Sequence, residues 1–297
     1  MMEQRAAGQF LGLPSPGREA ADARVLPLPL EATVSYGRGT AGGPQAILEA
    51  SQQIELFDEE TLVDFTVYPK LHTLPPLAAT GGVEDYLAAV RQQVAALGDR
   101  FLMSLGGEHT ITYGTVRGLV GDPSRVTVVQ IDAHADLADR LEGRRWSHGT
   151  VMRRLWEEGC RLVQIGIRSL SRSEYELSQS GPRIVTWYAH RLAEQWEQIL
   201  AMVGGLEGKV YLTIDVDGLD PAVIPSTGTP QPNGLSWRQM MALLERLAAA
   251  RKADWIGADV VELVPSPQPP GCDFTAARLV QKVLAHWARG RQGERAT

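Results

Sequence analysis

The sequence predicts an α/β fold, a mostly parallel sheet between helix layers, on three observations. Short Val/Ile/Leu-rich runs alternate with amphipathic stretches along almost the whole chain, the pattern of βα units. The runs are continuously apolar rather than alternating, as in parallel strands covered on both faces. No composition break, repeat or Pro/Gly linker divides the chain, so residues 21–297 read as a single domain behind an N-terminal arm, 1–20.

In chain order, apolar runs predict strands at 24–30, 62–68, 100–105, 125–132, 161–168, 183–187, 209–215 and 255–262, about eight in all. Amphipathic stretches predict helices at 44–57, 83–97, 148–158, 191–203, 236–250 and 274–289. The Gly/Pro-rich pieces 221–234 and 265–271 follow predicted strands directly. In open α/β sheets, sites lie in such loops.

The 297 residues carry 29 Lys+Arg against 35 Asp+Glu, a net charge of −6, which argues against binding nucleic acid through its phosphates. No run reaches the roughly 20 apolar residues of a membrane-spanning helix, and the N-terminus lacks a secretory pattern. The only cysteines, Cys160 and Cys272, make neither a disulfide framework nor a thiolate zinc site and suit a reducing cytoplasm.

The chemistry lies where the predicted strands end. One strand runs into Gly106-Gly107-Glu108-His109, a second into Asp132-Ala133-His134-Ala135-Asp136, a third into Asp215-Val216-Asp217, and a fourth reaches Glu262. In a parallel sheet these ends share one rim. Residues two apart in extended chain share a face, so Asp132, His134 and Asp136 can converge, and so can Asp215 and Asp217. With His109 that gathers four carboxylates and two imidazoles. Bare, such carboxylates repel and raise one another's pKa; a pair of bridged divalent cations resolves this, and the oxygen-rich donor set favours Mn²⁺. Such a pair can hold a hydroxide nucleophile at neutral pH. Taken singly, each aspartate reads equally as a helix cap or turn residue; the combination does not.

These motifs, with Thr110, Ser147-His148-Gly149-Thr150, Gly218-Leu219-Asp220-Pro221, Gly228-Thr229-Pro230 and an early Gly37-x-Gly39-Thr40…Gly43-Pro44, closely resemble the ureohydrolase (arginase/agmatinase) family, in the family's order. The resemblance implies a three-layer α/β/α arginase-like fold with an eight-stranded mostly parallel sheet. It implies two Mn²⁺, one bound by His109, Asp132, Asp136 and Asp215 and the other by His134, Asp132, Asp215 and Asp217. It further implies His148 as a proton shuttle, Glu262 as the carboxylate gripping the substrate guanidinium, and a homotrimer or homohexamer. The same resemblance puts Asp136 close enough to the metals to bond the attacking hydroxide. Ser226, where the family often has glycine, and Asn233-Gly234 in place of Gly-Gly put loop shape in question, not metal binding.

Residues 137–146 lack the Asn and Ser with which arginine-cleaving members hold an α-carboxylate; Asp139 and Glu142 there suit a cationic tail. The expected reaction is agmatine to putrescine and urea, with aminopropylagmatine, guanidinobutyrate or arginine as alternative substrates of a related enzyme. Two further readings are a single-zinc amide hydrolase and a non-catalytic relative of the same fold; the full six-ligand set argues for two metals rather than one, and no ligand is lost as a non-catalytic relative would show. His72, His190 and His286 fall in no motif and read as surface or packing residues. Trp146, Trp187 and Trp255 read as packing, and Arg144 and Arg145 as solvated loop charges.

Overall fold

The computed structural model describes residues 6–266 and 271–295, with side chains as far as residue 292. The strands are β1 (Ala23–Leu28), β2 (Leu71–Thr73), β3 (Phe101–Gly106), β4 (Val126–Ile131), β5 (Arg161–Ile167), β6 (Ile184–Tyr188), β7 (Gly208–Asp215) and β8 (Ala253–Val261). They form one sheet in the order β2-β1-β3-β8-β7-β4-β5-β6, and every neighbouring pair is parallel. The helices are α1 (Gly43–Ser51), α2 (Val83–Ala95), α3 (Ile111–Leu119), α4 (Val151–Glu157), α5 (Arg172–Ser180), α6 (Leu192–Gly204), α7 (Trp237–Ala248) and α8 (Gly271–Arg295). Helices α1, α8, α7 and α6 pack in series over one face, and α2, α3 and α4 over the other.

Strand periodicity explains why the apolar runs do not alternate. Met103, Val129 and Leu212 face α1, α6, α7 and α8 in one core. Their neighbours Leu102, Val128 and Tyr211 face the opposite helix layer. Successive residues point to opposite faces and both faces are covered, so every position buries apolar area.

The predicted strand at 62–68 is not a strand. Leu62 stands at φ 60°, and the segment is a series of turns with one isolated bridge, Phe57 to Asp64. Val63 and Phe65 plug the core from it, while Leu62 and Val67 are 65% and 69% exposed. The second strand lies instead at β2, paired to β1 through Ala23↔Leu71 and Val25↔Thr73. Two helices, α3 and α5, were not predicted. Gly118 of α3 shows why the first was hidden: a Cβ there would meet Val94 Cβ of α2 at 2.5 Å, so close helix packing takes a residue that weakens the helical signal. Helix α5 is polar along most of its length, but its N-terminal Ser171–Glu174 capping box was a readable sign.

Residues of the amino-terminal arm lie against the domain. Phe10 and Leu11 are buried, their amides donating to Thr73 Oγ1 at 2.8 Å and Ser51 Oγ at 3.0 Å. His72 bonds Ser15 (2.6 Å), His286 is buried, and Cys160 and Cys272 are free, buried thiols. No helix among the described residues is long and apolar enough to cross a membrane.

Candidate metal centre

Four adjacent strands, β3, β8, β7 and β4, end at one rim and deliver the polar groups. Gly107 makes the first delivery possible. A Cβ there would lie 2.0 Å from Leu30 O, so only glycine lets the end of β3 pass the end of β1. Gly107 N donates to Leu28 O (2.9 Å) and Glu262 N to Gly107 O (2.8 Å), which fixes Glu108, His109 and Glu262 relative to one another.

Every residue expected at the site lines or underlies one cleft. Its wall holds His109, His134, Asp136, His148, Asp215, Asp217 and Glu262, together with the 34–37 segment and Gly228–Thr229; Asp132 is fully buried. His109 Nδ1 stands 3.2 Å from Asp132 Oδ2, 3.1 Å from Asp136 Oδ2 and 3.6 Å from Asp215 Oδ2. His134 Nδ1 stands 3.0 Å from Asp217 Oδ2 and 3.7 Å from Asp132 Oδ1. Two potential ligand groups result, His109/Asp132/Asp136 and Asp132/His134/Asp217. They share Asp132, which turns one oxygen to each.

The donor set fits cations on its own evidence. Thr213 Oγ1 donates to Asp259 Oδ1 (2.6 Å) and therefore accepts from His109 Nε2 at 2.7 Å. That leaves His109 Nδ1 with its lone pair toward three carboxylate oxygens and no aligned hydrogen bond. Lone pairs converging on a buried point require a positive charge there.

Without metal, protons must supply it. Burial, then the Asp132 charge, pushes Asp136 up to about 7. Burial, with Asp217 and Asp132 adding to it, holds Asp215 well above the carboxylate range, and burial foremost raises Asp217. Burial likewise lifts Glu262 to about 8. Burial opposes charge on His134, yet Asp132 and Asp217 push it up to about 12. Asp132, also desolvated, is held below the usual range by His109 and His134. Burial lowers His148.

A pH dependence follows for the metal-stripped protein. Asp136, Glu262 and His134 rise from 3.8, 4.5 and 6.5 to about 7, 8 and 12, so the folded state binds more protons than the unfolded state between each pair of values. Stability then falls as pH rises: the carboxyl contribution is lost from 3.8 up through about 8, the imidazole contribution from 6.5 upward. Asp132, His148 and the buried His286 have the opposite sign: the window of Asp132 lies below 3.8, and those of the two histidines, below 6.5, offset only part of the fall. The Tm of chelated protein should fall from about pH 5 to pH 8, and saturating Mn²⁺ should remove most of that slope. A Tm that rises over this range without metal would contradict the assignment.

Three supports were not read from the sequence. Thr186 donates to Gln164 Oε1 (2.8 Å), Gln164 to Gln130 Oε1 (2.6 Å), and Gln130 to Asp132 Oδ2 (2.7 Å), a polar rail across β6, β5 and β4 that is half-buried at Thr186 and fully buried at both glutamines. Arg168 donates to Asp217 O, Gln231 O and Pro232 O at 2.6–2.9 Å, tying two rim loops together. Glu174 lines a cavity of about 260 Å³ that adjoins the cleft and shares Ser35, His134, Asp136, His148 and Thr229 with it. Asp139 and Glu142, expected to face a cationic tail, line neither space; Asp139 pairs with Arg154 at 3.0 Å. Arg144 reaches Ala32 O (3.4 Å) and Arg145 pairs with Glu157 (3.1 Å). Ser226 adopts no left-handed conformation, whereas Asn233 does, at φ 66°.

Fold and site define a class: a three-layer α/β/α hydrolase with a carboxylate–imidazole centre suited to divalent metal. The chain belongs to the arginase family, whose family model matches residues 21–286, and is a ureohydrolase most like the agmatinases. It is 36% identical over 278 residues to an N(1)-aminopropylagmatine ureohydrolase of Synechocystis sp., with 90% of each chain covered. It is 32% identical over 282 residues to an agmatinase of Pyrococcus horikoshii, covering 93% of this chain and 96% of that one. The solved agmatine ureohydrolase of Thermoplasma volcanium matches with a TM-score of 0.85 at 29% identity, over 99% of this chain and 97% of that one.

Proposed function

We propose that this ureohydrolase releases urea from a linear guanidine with a cationic aliphatic tail, N1-aminopropylagmatine first and agmatine as its shorter analogue. The observation that carries the reading is the cavity beside the cleft. Ala138, Leu141 and Leu170 give it apolar walls and Glu174 a carboxylate, a lining that suits methylenes and an ammonium. The aminopropylagmatine ureohydrolases among the relatives, at 34–36% identity, favour the longer tail. The sequence led to agmatine, which fits the same lining.

His109, Asp132, Asp136 and Asp215 would hold one Mn²⁺, and His134, Asp132, Asp215 and Asp217 the other. When bound, the ion pair supplies the charge that makes water acidic enough to act as nucleophile near neutral pH. Glu262 then receives the guanidinium through charge-assisted hydrogen bonds and sets its carbon in place. Water oxygen joins that carbon as the bond to the alkyl nitrogen breaks. Asp136 orients the attacking water; the two protons the water sheds are taken up by Asp136 and by His148 Nε2, and His148 passes them to the departing nitrogen, which leaves as an ammonium. The products are urea and spermidine, or urea and putrescine from agmatine. A cytoplasmic homotrimer or homohexamer belongs to the same reading.

The test is urea release from matched guanidines. Against arginine, kcat/KM for aminopropylagmatine should be higher by on the order of 100-fold, since an α-carboxylate near Glu174 meets like charge. Arginine as the better substrate, or no urea from either tailed guanidine, overturns the assignment.

A further inference from the structure

We infer that Thr33, held by Glu108, is a positioning residue that locks the His148 imidazole in one tautomer, with Nδ1 protonated and Nε2 the unprotonated, proton-accepting nitrogen on the cleft side. The inference rests on the reading of His148 as proton carrier, and it follows from counting donors and acceptors.

Glu108 is fully buried. Its Oε2 accepts from the Ala32 and Thr33 amides, both at 2.6 Å. Its Oε1 accepts from the Thr33 hydroxyl at 2.8 Å and from the Thr110 hydroxyl. All four acceptor sites of the carboxylate are therefore used. A hydroxyl has one hydrogen and two lone pairs. Thr33 spends its hydrogen on Glu108, so its lone pairs receive the two remaining contacts. These are the His148 backbone N–H and His148 Nδ1, each at 3.2 Å. An oxygen with no hydrogen left can meet Nδ1 only if Nδ1 carries one. The proton-accepting nitrogen is then Nε2, which faces Ser35 Oγ at 3.0 Å. A tautomer fixed by the partner of the other ring nitrogen is how an imidazole is readied for proton transfer. The partner here comes from a segment more than a hundred residues earlier in the chain.

Two variants separate this role from mere support of the 31–37 segment. Thr33→Val keeps the shape and removes the hydroxyl. Its kcat with agmatine should fall on the order of 10–100-fold with KM within about twofold, and Thr33→Ser should restore most of the rate. Glu108→Gln keeps an oxygen for the two amides but turns N–H groups toward the hydroxyls. Thr33 must then accept from Gln and donate to Nδ1, which reverses the tautomer. Nitrogen NMR of histidine-labelled, Zn²⁺-loaded protein reads this directly: Nδ1–H for His148 in the wild type, Nε2–H in Glu108→Gln, and a mixture in Thr33→Val. Wild-type kcat in Thr33→Val, an unchanged tautomer in Glu108→Gln, or failure of Thr33→Ser to restore the rate overturns the inference. A His148→Asn enzyme with full kcat overturns the proton-carrier reading as well, whereas loss of activity in that variant with a normal Thr33→Val overturns the Thr33 role alone.

Discussion

Asp132→Ala is expected to abolish turnover and metal loading together. Asp132 offers one oxygen toward His109 and the other toward His134 and Asp217, so one substitution strips a donor from both ligand groups. A divalent ion can lower the pKa of water from 15.7 to about 7, and losing even part of that gain should cut kcat by on the order of 10³-fold or more. Metal analysis of the dialysed variant should show well under the wild-type content. Because Asp132 is also the counter-charge of His109 and His134, circular dichroism should confirm that the variant is folded, and Asp132→Asn, which keeps the shape, should lose metal in the same way. An active, fully loaded Asp132→Ala enzyme would contradict the shared-carboxylate arrangement.

His148→Ala is expected to separate the two functions that Asp132→Ala loses together. His148 lines the cleft but belongs to neither ligand group, and its Nδ1 is engaged by Thr33. Metal content should stay at the wild-type level while kcat falls by about 10²–10⁴-fold, the usual worth of a general acid. The KM for agmatine should change little, since the proposed guanidinium grip lies with Glu262. Loss of metal from this variant would make His148 a ligand, and full activity would remove it from the reaction.

The metal-binding candidates were legible because their signal is local. A continuous apolar run that breaks into Asp-x-His-x-Asp or Asp-x-Asp marks the end of a buried strand, and parallel topology brings those ends together. Supporting residues carry no such mark. Gln130 and Gln164 sit inside apolar runs and acquire meaning only when β4 and β5 pair them in register. Glu108 drew no role from the sequence, because its partners Ala32 and Thr33 come from a distant segment. The acidic group beside the cleft was sought at Asp139 and Glu142, next in sequence to the metal motif, yet Glu174 arrives from the following βα connection. The misplaced second strand has the same origin. Residues 62–68 have strand-like composition, but β2 is fixed by its pairing with β1, which no local window reports.

The rail from Thr186 through Gln164 and Gln130 to Asp132 has a consequence for protein design. Copying only the candidate metal ligands onto another scaffold would leave the shared aspartate without the rail that orients it, which starts two strands away on β6. A faithful graft must carry a strip of sheet interior with it, out to the last strand. By the same token, a substitution at that far margin offers a way to loosen the grip on metal without touching the mouth of the enzyme.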